Sequence, residues 1–214
     1  GETLRTPIEY VPLLMQYDAT VREKDAITNF GIGVHFGIRG LVNNDAAFNA
    51  KHHNAHANYI YLRATADRQQ DLFAGMRLHV SLDGQISDSP LISNEEFSAG
   101  GPDSVRGYHI SEAFGDDAVQ GTAELYGPSM VPAPWKGRIQ YLRLLTFWDG
   151  AVLRMRYANP GQPNGYILTS AGVGLRLQAW PGLSASLDFA QLFHATNTLP
   201  KDERRVVFNV EYAF

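Results

Sequence analysis

The sequence predicts an all-β fold, an antiparallel transmembrane β-barrel with about nine strands in this chain, on three observations. Apolar residues recur at every second position through segment after segment, the segments are long, and the links between them alternate in length. Composition is compatible with this. The 214 residues include 20 glycines, 11% aromatics and no cysteine, and charged residues stand at 19% against a usual share of about 25%. An ordered chain follows, without a disulfide framework or thiolate metal site, and fit to cross an oxidising periplasm unmodified.

Two classes drop out. A formal charge of −4 with no basic block leaves nothing to neutralise phosphates, so no nucleic-acid partner is expected. No run of about 18 apolar residues exists to form a membrane helix, and the start, GETLRTPIEY, has no signal-peptide apolar core. Alternating strands leave no such mark, so a membrane barrel stays open.

In chain order, the first strand centres near Met15. Residues 26–40, AITNFGIGVHFGIRG, then put Phe30, Ile32, Val34, Phe36 and Ile38 on one face, and Asn29, Gly31, Gly33 and His35 on the other. A strand centred near Leu62 precedes residues 72–86, where Met76, Leu78, Val80, Leu82 and Ile86 alternate with Arg77, His79, Ser81, Asp83 and Gln85. Five more centre near Ala123, Leu144, Val173, Leu187 and Val210. The polar face reads as lumen and the apolar face as lipid contact, with Tyr17, Trp148, Tyr212 and Phe214 near strand ends as candidate interfacial aromatics. A soluble β-sandwich is the alternative, disfavoured by strand length.

REKD at 22–25, RQQD at 68–71 and PG at 181–182 are short links; 42–57, 87–117, 154–164 and 193–203 are long ones. PSMVPAPWKG at 128–137 fits the short class least well. Short periplasmic turns and long extracellular loops would start the first strand outside, and an odd strand count then leaves the termini on opposite sides. Upstream strands are therefore expected, because an open sheet edge in lipid leaves backbone groups unsatisfied.

Local motifs give no enzyme. GIGVHFG has its glycines inside a strand with no helix following, so it lacks the mechanism of a dinucleotide loop. KHHNAHAN at 51–58 gathers His52, His53 and His56 but has no adjacent acidic or thiolate ligand, and reads as a solvated polar loop, not a metal site. GxSxG, HExxH and P-loop patterns are absent, and His35, His79, Asp83 and Asp188 read as scattered lumenal residues. No catalytic residue and no cofactor is expected. The terminal run VVFNVEYAF, with Tyr212 and Phe214 on its apolar face, resembles the signal that Gram-negative outer-membrane proteins present to their assembly machinery.

One stretch resists the barrel pattern. GGPDSVRGYHI, 100–110, places Val105, Arg106, Gly107 and Tyr108 together in the long polar 87–117 link. With its surroundings, LISNEEFSAGGPDSVRGYHISEAFGDDAVQGTAELYGPS, it closely resembles the TpsB transporters of two-partner secretion, typified by FhaC and ShlB. LTFWDGAVL at 145–153, AGVGLRLQAW at 171–180 and the last strand support the resemblance, which covers nearly the whole chain.

The resemblance implies a sixteen-stranded barrel whose long loop folds into the lumen with the VRG[FY] element at its tip. The loop leaves between the eleventh and twelfth family strands, here the fourth and fifth, so this chain would supply the last nine as a single C-terminal region. The POTRA domains, plug helix and upstream strands would lie outside it. The family's loop arginine pairs with an aspartate in an F-x-D-x-G-like strand motif, matched by Phe147, Asp149 and Gly150, although here the glycine directly follows the aspartate. Alternation separately turns Phe147 and Asp149 inward and Trp148 outward. An Arg106–Asp149 salt bridge locking the loop is therefore expected, with Gly107 allowing a tight turn and Tyr108 packing on the wall.

Implied partners are a secreted TpsA-like client (adhesin, haemolysin or contact-dependent toxin), outer-membrane lipid in a Gram-negative bacterium, and the barrel assembly machinery. Two alternatives stay open: a barrel-assembly factor sharing the VRG[FY] loop, and the barrel of an autotransported enzyme.

Overall fold

The computed structural model describes residues 8–38, 45–158, 161–180 and 182–213. Its elements run β1 (Pro12–Arg22), β2 (Ala26–Gly37), α1 (Asp45–Lys51), β3 (Ile60–Asp71), β4 (Arg77–Ser87), β5 (Phe97–Ala99), β6 (Ala113–Gly115), β7 (Asp117–Tyr126), β8 (Ile139–Arg154), β9 (Gly165–Ala179), β10 (Leu183–Leu192) and β11 (Arg204–Tyr212). Nine strands form one antiparallel sheet in the order β1-β2-β3-β4-β7-β8-β9-β10-β11, while β5 and β6 make a separate small hairpin inside the β4–β7 link. Each sheet strand pairs with its neighbour in sequence, a meander that short links allow.

Register turns the period of two into two faces. Tyr17 lies opposite Ile32, Ile32 opposite Ala64, and Phe30 opposite Ala66, which lies opposite Leu82. This face carries the exposed side chains of Tyr17, Phe30, Ile32, Leu82, Val119, Trp148, Val173 and Phe208. So large an apolar face is a liability in water and suits lipid. Sheet strands range from 9 residues in β11 to 16 in β8, enough for a tilted crossing of about 9–11 residues. No helix among the described residues is long and apolar enough to cross a membrane.

The structure corrects four details. RQQD is not a link: the β3–β4 ladder continues to Asp71 opposite Arg77, and the turn occupies 72–76. Its polarity marks the end of the apolar face instead, where Arg68 donates to Thr28 Oγ1 at 2.8 Å and Glu23 at 2.9 Å. Tyr17 and Trp148 sit well inside β1 and β8, so of the four aromatics only Tyr212 lies at a described strand end, and Phe214 is outside the described residues. KHHNAHAN is not a solvated loop, because His52, Ala55 and Ala57 are buried. The 42–57 link carries a helix, α1, whose alanines favour helix and whose Asp45 and Lys51 match the dipole at its two ends.

Two apolar clusters sit on the polar side of the sheet. One packs Val105 and Tyr108 with Phe97, Ala113, Ala151, Leu153, Leu168 and Leu192, joining the β4–β7 link to β8, β9 and β10. The other packs Phe48 of α1 with Tyr59, Tyr61, Leu91 and Ile92, at the root of the same link. The link is thus a packed structure seated on the inner face.

Candidate functional site

Arg106 is almost completely buried at 3% exposure, and Asp149 on β8 is fully so. A buried guanidinium needs partners for its charge, and here a carboxylate meets it in a fork. Nε donates to Asp149 Oδ2 and Nη2 to Asp149 Oδ1, both at 2.7 Å. The Arg106 backbone N–H adds a third bond to Asp149 Oδ2 at 3.1 Å. The other terminal nitrogen, Nη1, donates to Glu124 Oε1 on β7 at 2.6 Å. Burial alone works against the charge, but Asp149 and Glu124 together more than reverse it and raise the Arg106 pKa.

The guanidinium also sits over the Phe147 ring, its central carbon 3.6 Å from the centroid. That close stack depends on β9. Gly172 is opposite Phe147, and a Cβ there would stand 2.6 Å from the ring's Cζ and 2.0 Å from the Phe189 carbonyl oxygen. Phe147 and Asp149 therefore form floor and clamp on alternate inward positions of one strand.

Gly107 turns the chain at φ +90, a conformation L side chains rarely adopt. A Cβ at this position would meet Leu192 Cδ1 at 2.5 Å and Ala190 Cβ at 3.0 Å on β10. Tyr108 then runs along the wall, its hydroxyl donating to the His194 carbonyl oxygen at 2.8 Å. Arg205 on β11 donates to the Gly107 carbonyl oxygen at 3.1 Å. Val105 has no exposed surface in the apolar cluster. The tip thus contacts β7, β8, β10 and β11 by side chains, and β9 through Leu168.

Glu124 is the residue the sequence reading missed. Besides Arg106 it accepts from His79 Nδ1 at 2.9 Å and the Tyr126 hydroxyl at 2.8 Å. Arg176 comes within 3.8 Å of it and makes a bidentate pair with Asp188 at 2.7 and 3.0 Å. His79 faces Asp67 through its other nitrogen. Arg106 from the link, with His79 on β4 and Arg176 on β9, is thus interleaved with four carboxylates on β3, β7, β8 and β10. Of the residues set aside as scattered, His79 and Asp188 belong to this network; His35 instead stacks on Tyr61 at 4.4 Å between centroids.

Gly150 is not in the site. It lies on the apolar face, where the Trp148 ring passes so close that a Cβ would be 2.8 Å from it. Tyr212 is 62% exposed at the sheet edge, opposite Leu183.

Long antiparallel strands in one sheet, apolar on one face and with a loop fastened to the other, have the architecture of a β-barrel wall. The sequence profile of the haemolysin secretion/activation protein family ShlB/FhaC/HecB matches residues 15–177. The chain belongs to this family, one of TpsB transporters and not of enzymes. Among solved structures it is similar to CdiB from Escherichia coli, with a TM-score of 0.77 and 18% identity over 97% of this chain and 37% of that one. It is also similar to CdiB from Acinetobacter baumannii, with a TM-score of 0.68 and 17% identity over 93% of this chain and 32% of that one. At such identities these likenesses speak for the fold alone, and the chain spans about a third of each of those proteins. No curated protein matches it.

Proposed function

We propose that this chain is the C-terminal wall of an outer-membrane translocation pore in a Gram-negative bacterium, exporting a large partner protein such as an adhesin, haemolysin or contact-dependent toxin. The observation that carries the proposal is the Arg106 fork on Asp149 and Glu124, within a family-matched region, which holds a long link against the polar face of the sheet. Such a link obstructs a lumen and is held by bonds that can be broken.

Among the described residues β1 and β11 have one neighbour each, and lipid cannot satisfy the free strand edges. Further strands, with periplasmic POTRA domains and a plug helix, would complete the pore. Outer-membrane lipid would cover the apolar face, and the barrel assembly machinery would read the terminal strand through Tyr212 and Phe214.

These 214 residues hold no cysteine that could compete with an introduced pair. Ser104 on the link donates to Gln120 on β7. In the full-length transporter, Ser104→Cys with Gln120→Cys should secrete the client under reducing conditions and stop when oxidised, each single variant remaining active. Equal secretion with the disulfide formed would contradict the proposal. A general loss of outer-membrane proteins on depletion, with no loss of one client, would point to an assembly factor.

A further inference from the structure

The root of the same link holds a cation that the barrel wall does not use. His52 follows α1 and is 5% exposed. Its Nδ1 is 2.6 Å from the Leu91 carbonyl oxygen and its Nε2 is 3.1 Å from the Tyr157 carbonyl oxygen. A carbonyl oxygen only accepts, so both ring nitrogens must carry protons and the imidazole must be the cation. Glu96 Oε1 lies 3.4 Å from Nδ1 and supplies the counter-charge.

Three links meet here: the β2–β3 link through His52, the β4–β7 link through Leu91 and Glu96, and the β8–β9 link through Tyr157. Asp116, with no exposed surface, ties two of them again, accepting the Leu91 N–H at 2.6 Å and the Arg156 N–H at 2.7 Å. We propose that His52 is a proton-dependent clamp that fastens α1 and the β8–β9 link over the root of the β4–β7 link, and that its deprotonation unfastens them.

Glu96 and Asp116 are the acidic groups facing His52, and the Arg156 side chain turns to Asp117 at 3.2 Å. Glu96 is the largest influence, and with the two carbonyl oxygens and Asp116 it lifts the His52 pKa, against the opposing effect of burial, from 6.5 to about 9. A raised histidine stabilises the folded arrangement fully below its unfolded value, about 6.5, and ceases to as pH rises through the folded value. The clamp is therefore closed at neutral pH and opened by alkali. The same three side chains bring ligand atoms within 4.8 Å of one another, the spacing of a cation site. Two protonated ring nitrogens leave the imidazole no lone pair for a metal, so the geometry favours the clamp.

The clamp does not depend on what the pore exports, so its failure and that of the transport reading are separate. The test is amide exchange of the full-length protein in micelles, corrected for intrinsic rates, between about pH 7.5 and about pH 10.5. Protection at residues 45–59 and 91–96 should fall roughly tenfold or more, with a midpoint near 9, while 104–108 stays protected. Glu96→Gln should move the midpoint down by about one unit or more, and His52→Ala should abolish the step. A step that persists in His52→Ala, or protection that falls on chelation and returns with zinc at neutral pH, would overturn the clamp.

Discussion

The β4–β7 link is fastened twice, at its tip by Arg106 and at its root by His52, and the two fastenings differ in chemistry. The tip cation cannot lose its proton in any ordinary pH range, and all its side-chain bonds go to carboxylates of the sheet. The root cation titrates, and two of its partners are carbonyl oxygens of neighbouring links. A fixed charge joins loop to wall; a removable one joins loop to loop. The root can therefore loosen while the tip stays seated, which gives the loop two separately controlled attachments.

Removing one side of the tip pair is the most severe way to break that difference. Arg106→Ala strips the buried Asp149 of its counter-charge and should cost about 3–5 kcal/mol of loop anchoring, and Asp149→Ala, which leaves Arg106 only Glu124, should cost somewhat less. Exchange at 104–108 should approach that of an open loop, while 45–59 stays protected. If both ends let go together, the two fastenings are one cooperative unit.

Gly107→Ala combines strain at φ +90 with a clash against Leu192 and Ala190, and should loosen the tip by about 2–3 kcal/mol. A Gly107→Ala protein with the tip as protected as before would show that β10 yields more easily than packing suggests. Alkali, by contrast, should act on the root alone: between pH 6.5 and about 9 the His52 contribution is lost, read as falling protection at 91–96. The smallest effect is expected from Tyr61→Phe. It deletes one hydrogen bond of 2.9 Å to Glu95, which Tyr10 also holds at 2.6 Å, and should cost about 0.5–1.5 kcal/mol at the root only.

The sheet was legible because a wall with one wet and one apolar face writes a period of two into every strand, and nine such runs became nine paired strands. Facing was legible too: the inward phase of Phe147 and Asp149 and the outward phase of Trp148 are those of the ladder. What depended on register was hidden. Glu124 is one of many inward polar residues until β7 is aligned on β8 and Glu124 falls opposite Phe147, beside Asp149. The alternation of residues 117–126 could have nominated it, but not ranked it.

Composition misled in two places. RQQD is polar and reads as a link, yet the ladder continues through it; KHHNAHAN is polar and reads as solvated, yet α1 and Leu91 cover its first histidine. Gly150 joins the lock only through the family's F-x-D-x-G-like motif, whose spacing it does not keep, and alternation assigns it to the face opposite Asp149.

The claim that the Arg106–Asp149 pair holds the tip is most directly tested by a double-mutant cycle of Arg106→Ala and Asp149→Ala in the full-length protein, read as protection of residues 104–108. A coupling of about 2 kcal/mol or more is predicted, the loss in the double variant falling short of the sum of the two single losses by that amount. Losses that simply add, to within about 0.5 kcal/mol, would mean that the two side chains meet in the barrel without holding the loop there.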